Sequence, residues 1–154
     1  MFLRHRQFLK ALALVCASPA LLCTQMARAL DRNKKGFDAR TVKDAMSAIN
    51  ADQAVESKSI LLRVPDIAAD GERIEVLVSS KIPSTQAISL LVHGNHHPLA
   101  MSVTILEGVD PTFSTVLRLR KTSLITAVVR AGGKNYRVAR EVKVATTRSC
   151  ALRS

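Results

Sequence analysis

The feature that most constrains this chain is a series of seven short apolar runs, most with a period of two and each closed by a turn signal. Ile60 to Val64 ends at Pro65, and Asp66 to Gly71 supplies turn residues. Glu72 to Val78 then places Ile74, Val76 and Val78 on one face. Ala87 to Val92 follows Pro83 and Ser84 and stops at Gly94-Asn95, with Pro98 closing that turn. Leu99 to Leu106 groups Met101, Val103 and Ile105, and Phe113 to Arg120 turns Leu117 and Leu119 inward with Arg118 and Arg120 outward. Leu124 to Val129 leads into Gly132-Gly133, a hairpin connection, and the last run extends from Tyr136 to Val144. In it Tyr136, Val138, Val142 and Val144 share a face that Arg140 interrupts, which points to a bulge. Strands recurring every ~8–12 residues describe an antiparallel β-sandwich. No segment between them is long enough for a crossover helix, which argues against a parallel α/β sheet. The fold class is all-β.

One helix is expected before the strands. Leu30 to Gly36 reads as a charged, mobile lead-in, and Asp38 is a favoured N-cap residue. Val42, Ala45, Met46 and Ile49 then recur at i, i+3, i+4 and i+7, the spacing of one helical face. The expected helix runs over 39–50 and lies against an apolar surface.

The first 29 residues read differently. Arg4, Arg6 and Lys10 precede an apolar run from Ala11 to Cys23, and Ala27-Arg28-Ala29 supplies a small-x-small site. Those three parts make a cleavable secretory signal. The apolar run falls short of the ~20 residues a spanning helix needs, and Pro19 interrupts it. The string Arg4-His5-Arg6-Gln7-Phe8-Leu9-Lys10 resembles a twin-arginine export signal with His5 at the first arginine of the pair, so the export route stays open. The expected division is a signal over 1–29, one domain over 30–145, and a flexible tail over 146–154. About 125 residues suffice for a domain with its own core.

Cleavage changes the charge and the cysteine count. Four of 23 basic residues leave with the signal, so 19 face 12 acidic ones, a net charge of +7. That sign suits anionic partners. Only Phe37, Phe113 and Tyr136 remain as aromatics, too few for base-stacking platforms, so nucleic acid is not an expected partner. Cys16 and Cys23 also leave, and Cys150 is then alone. A single cysteine in an exported chain is either a reactive thiol or an intermolecular partner, unless it is incidental. It stands in the polar stretch Arg148-Ser149-Cys150-Ala151-Leu152-Arg153-Ser154, at a terminus where chains are most accessible.

Other chemistry finds less support. His93, His96 and His97 surround one turn, but the nearest acid is Glu107, beyond a strand, and zinc sites recruit a fourth ligand. No metal or cofactor is expected. Nucleophilic catalysis by Cys150 needs a base and an orienting group held beside it, which a tail does not hold. What a tail thiol can do is enter another protein's active site. Its thiolate is the nucleophile, a free cysteine titrates near ~8.5, and Arg148 and Arg153 favour the anion and attract anionic sulfur compounds.

At this point the chain resembles the SoxY family. The resemblance rests on Ile60-Leu61-Leu62-Arg63-Val64-Pro65-Asp66-Ile67-Ala68-Ala69-Asp70-Gly71, on Asn95 with Pro98-Leu99, and on Val116 to Ser123. It also rests on Gly133-Lys134-Asn135-Tyr136 and Glu141 to Val144, in family order across about residues 40–150. It implies an immunoglobulin-like sandwich paired with a small β-sandwich subunit, SoxZ, in the periplasm. It further implies that a haem enzyme joins the tail cysteine to thiosulfate and that a hydrolase then releases sulfate. On this resemblance the chain is a carrier and not an enzyme, and Cys150 is the attachment residue. The family tail reads Gly-Gly-Cys-Gly-Gly, whereas here Arg148-Ser149 precede the cysteine and Ala151-Leu152 follow it. The alternative expectation is therefore a diverged paralogue that binds a SoxZ-like subunit and carries no sulfur.

Overall fold

A computed structural model describes residues 33–69 and 71–145. The expected signal segment, 1–29, and the expected tail, 146–154, lie outside the described residues.

Two helices open the fold, α1 (Lys34–Asp38) and α2 (Val42–Ala48). Nine strands follow: β1 (Val55–Glu56), β2 (Ile60–Arg63), β3 (Ile67–Ala68), β4 (Ile74–Ser80), β5 (Thr85–Val92), β6 (Leu99–Thr104), β7 (Thr112–Leu117), β8 (Ser123–Ala131) and β9 (Lys134–Val144). The larger sheet has the order β1-β9-β8-β5-β6, with β3 also on β9, and the smaller one has the order β2-β4-β7. Every pairing is antiparallel except those of the two-residue strands β1 and β3, which lie parallel to β9. The seven expected strands are present. The two parallel additions were not expected, because two residues carry no period.

Alternation explains the smaller sheet. Ile74, Val76, Val78 and Ser80 of β4 point inward and are buried, while Glu75 is exposed. In the larger sheet β8 is buried at seven of its nine positions. Ile125, Ala127 and Val129 join the core between the sheets, and Val128 faces the helices on the other side. A strand covered on both faces reads as a continuous apolar run. Each fully buried Val, Leu or Ile contributes roughly 1.5–3 kcal/mol before entropy is counted. The β8–β9 hairpin closes on Gly132 (φ 55°) and Gly133 (φ 73°) between the paired residues Ala131 and Lys134. Two consecutive positive φ values define the tight hairpin turn whose twist suits the strands, and glycine adopts them without steric cost.

The helices correct two expectations. Lys34 to Gly36 is not a loose lead-in but part of α1, whose Asn33 side chain accepts from the Gly36 amide and donates to Ala48 O at 2.7 Å. Gly36 is buried so closely that a Cβ there would stand 2.8 Å from Leu99 Cδ2. The cap of α2 is Thr41, whose hydroxyl accepts from Asp44 N at 3.1 Å; Asp38 instead ends α1. The expected face does pack. Ala45 is fully buried and Val42, Met46 and Ile49 surround Leu91, Leu99 and Val128 on the outer face of the larger sheet.

The expected bulge at Arg140 is absent. β9 pairs with β8 in unbroken register from Ser123↔Val142 to Ala131↔Lys134, with Arg140 opposite Ile125. Register shifts occur in β5 instead, between Leu90 and Leu91 against β6 and between Thr85 and Ala87 against β8.

Candidate functional site

Cys150, Arg148 and Arg153 lie outside the described residues, so the structure defines the place from which their segment departs. β9 ends at Val144, and its last turns of chain are fastened on both flanks. On one side Lys143 N donates to Asp66 O at 2.9 Å and Ala145 N to Ala68 O at 2.8 Å, the ladder of the parallel strand β3. On the other, Val144 N donates to Thr122 Oγ1 at 3.1 Å. Ser123, the next residue, pairs with Val142.

Gly71 holds this corner together. Leu119 N donates to Gly71 O at 2.7 Å, and Gly71 has φ +69°. A Cβ at that position would meet Leu119 O at 2.3 Å and Val144 Cγ1 at 3.2 Å. Only glycine combines that φ with that approach. The sequence signal was present in the turn ending at Gly71, but nothing local says that the turn packs beneath residue 144.

The turn after β5 packs on the same end. A Cβ on Gly94 would fall 1.9 Å from Ser123 Oγ, and Asn95 Nδ2 donates to Arg118 O at 3.1 Å. Asn95 Oδ1 is buried with no partner among the described residues. Arg118 pairs with Glu72, an exposed contact of the kind that contributes about 0–1 kcal/mol.

The three histidines divide. His93 Nε2 lies 2.9 Å from the buried Thr126 Oγ1, and burial pushes its pKa below the ordinary imidazole value. His96 takes a hydrogen bond from the Arg40 guanidinium and meets His97 edge-to-face at a ring separation of 5.0 Å. Among the described residues no three His, Cys, Asp or Glu side chains gather as a metal site. No helix among them is long and apolar enough to cross a membrane.

A family profile described as "Sulfur oxidation protein SoxY" matches residues 45–150. That span covers more than half of the chain. The chain belongs to the SoxY family. The chain is similar to the solved sulfur carrier protein SoxY from Chlorobium limicola f thiosulfatophilum, with 36% identity and a TM-score of 0.63. That match covers 68% of this chain and 96% of the other. It supports the immunoglobulin-like sandwich with its short N-terminal helix. Superoxide reductase (neelaredoxin) from Ignicoccus hospitalis matches at 18% identity and a TM-score of 0.51, over 66% of this chain and 87% of the other. At that identity the likeness is one of fold. No curated protein matches the chain. The SoxY match ends on Cys150 itself, so the family region includes the residue that follows the fastened end of β9 by five positions past Ala145.

Proposed function

We propose that this SoxY-family chain is an exported sulfur carrier that holds thiosulfate-derived intermediates covalently on Cys150. The observation that carries this reading is the family match, which runs through the whole sandwich and closes on that cysteine. The similar protein from Chlorobium limicola is itself described as a sulfur carrier protein.

The chemistry asks little of the carrier. The Cys150 thiolate and the outer sulfur of thiosulfate join in an S–S bond as two electrons pass to a haem enzyme. Water then attacks the sulfonate sulfur in a hydrolase. Sulfate leaves, and one sulfur stays on Cys150 as a persulfide. This chain supplies a nucleophile and a tether, and the enzymes supply the redox and hydrolytic machinery. Arg148 and Arg153 favour the thiolate and the anionic adduct, though water screens exposed charges strongly. A SoxZ-like subunit is the stable partner, the periplasm is the compartment, and the first 29 residues are the export signal.

A second reading is favoured by one feature, the replacement of the family's glycines by Arg148, Ser149, Ala151 and Leu152. Larger side chains narrow what channel a cysteine can enter. On that reading the chain assembles with a SoxZ-like subunit and carries nothing. Intact-mass spectrometry after incubation with thiosulfate and the conjugating haem enzyme separates the two. The carrier gains one thiosulfate group, and Cys150→Ser gains none. An unmodified chain that still binds the SoxZ-like subunit is the assembly module.

A further inference from the structure

Arg140 stands where an apolar side chain belongs. Along β9 the residues Tyr136, Val138, Val142 and Val144 of the same parity pack against the core, and the register around Arg140 is unbroken. Yet Arg140 is exposed. The sandwich opens beside it. β1 covers the free edge of β9 only at Tyr136 and Arg137, and β3 covers it only at Lys143 and Val144. Between those clamps the chain from Ser57 to Pro65 leaves β9 and joins the other sheet as β2.

The backbone polarity of that gap can be worked out. Ser57 N donates to Arg137 O, and Lys143 N donates to Asp66 O, so odd-numbered residues of β9 aim their amides and carbonyls away from β8. The amides and carbonyls of Ala139 and Glu141 therefore face the gap, and no bond from another described residue reaches them. A groove of about 490 Å3 lies there, within the ~300–1,000 Å3 range of ligand clefts. Its apolar part is the half-buried Val138 above the core residues Ile60 and Leu62, and its charged rim is Lys58, Arg137 and Arg140 against one acid, Glu56. Glu56 meets Arg137 only at 3.9 Å, with both side chains largely exposed, and so neutralises little of that charge.

We infer that this groove docks an extended acidic segment of a partner protein. The segment adds to the open edge of β9 through Ala139 and Glu141. It lays an apolar side chain on the half-buried Val138 and offers carboxylates to Arg140 and Lys58. Strand addition takes its affinity from main-chain bonds and its selectivity from alternate side chains. A cationic rim selects an anionic strand over the many neutral or basic ones. The chain's own last residues do not suit it, since Arg148 and Arg153 carry the groove's own sign.

The probe is a blocked heptapeptide, Glu-Thr-Val-Thr-Glu-Thr-Val, whose glutamates and valines share one face as Arg140 and Val138 do, added at low ionic strength to the full chain labelled with nitrogen-15. The expected result is saturable movement of the Ala139 and Glu141 amide signals, with Arg140→Glu weakening binding by at least about tenfold. Arg140→Gln weakens it less, and Lys43→Glu on α2 leaves it within about twofold, since that charge lies on the other side of the larger sheet. Equal binding of a lysine–valine peptide overturns the inference, and so does an unmoved Ala139 amide. Undiminished affinity in Arg140→Glu, with the fold intact by circular dichroism, also overturns it. The readout is the same in Cys150→Ser, so it stands or falls apart from the carrier reading.

Discussion

On the outer face of the larger sheet Leu91, Leu99 and Val128 are buried to within 3% of complete coverage beneath α1 and α2. On the outer face of the smaller sheet Leu61 keeps 39% and Val116 keeps 47% of its surface in water. The residue types are alike, but their neighbours differ. In the smaller sheet Leu61 opposes Ser79, Val116 opposes Glu75, and Leu77 lies between Arg63 and Ser114. Polar partners break the apolar surface into single residues, which is ordinary for a face in contact with water. On the larger sheet Leu91 faces Thr126 and Val128 faces Ser89, but Leu91 also opposes Leu99, and these three apolar residues cluster beneath the apolar stripe of α2. The difference lies in the Leu91–Leu99 pair, which has no apolar counterpart on the outer face of the smaller sheet.

The sharpest way to break this comparison is Leu91→Ala, expected to cost about 2–5 kcal/mol by urea denaturation. A loss below about 1 kcal/mol would mean that the helices rest loosely on that face. Gly71→Ala moves the test to the corner where the sheets meet. An alanine at φ +69° with its Cβ 2.3 Å from Leu119 O should cost more than about 2 kcal/mol, read as a lowered Tm. Thr41→Ala removes the cap of the helical cover and should cost about 1 kcal/mol, while Asp38→Ala should cost clearly less in the same assay. Val116→Ser, on the uncovered face, should stay within about 0.5 kcal/mol.

The smallest effect concerns His93, whose ring is hydrogen-bonded to Thr126, on the same outward face as Val128. Its folded pKa lies below its unfolded one, so the unfolded chain takes up a proton first as pH falls. That contribution is intact above the unfolded value near ~6.5 and declines below it. His93→Gln should flatten the fall of Tm with acidification in that window.

Much of this was legible along the chain. The alternation of Ile74, Val76 and Val78, the Gly132-Gly133 hairpin, and the outward Arg118 and Arg120 each reported a contact made within a few residues or across one ladder. Leu117 and Leu119 are buried as their spacing requires. The cap of α2 was misplaced because Asp38 and Thr41 are both good caps, and the five-residue first helix that ends on Asp38 is too short to show a period. β1 and β3 were illegible because two residues have no period and owe their conformation wholly to β9. Arg140 was noticed, but its cause lies in the departure of β2 to the other sheet, 80 residues earlier in the chain. For the candidate site, Cys150 was named by elimination among three cysteines and by family likeness. The fastening of β9 beneath Gly71 was invisible, since it depends on long-range packing of Leu119 and Val144.

Because residues 143–145 are bonded to Asp66 and Ala68 on one flank and to Thr122 on the other, a pull on the chain beyond Ala145 is shared by bonds on both flanks at once. Tension of that kind must shear the ladder sideways instead of peeling it open one rung after another. A load applied at Ala145 is therefore resisted on both flanks before the β8–β9 ladder is disturbed.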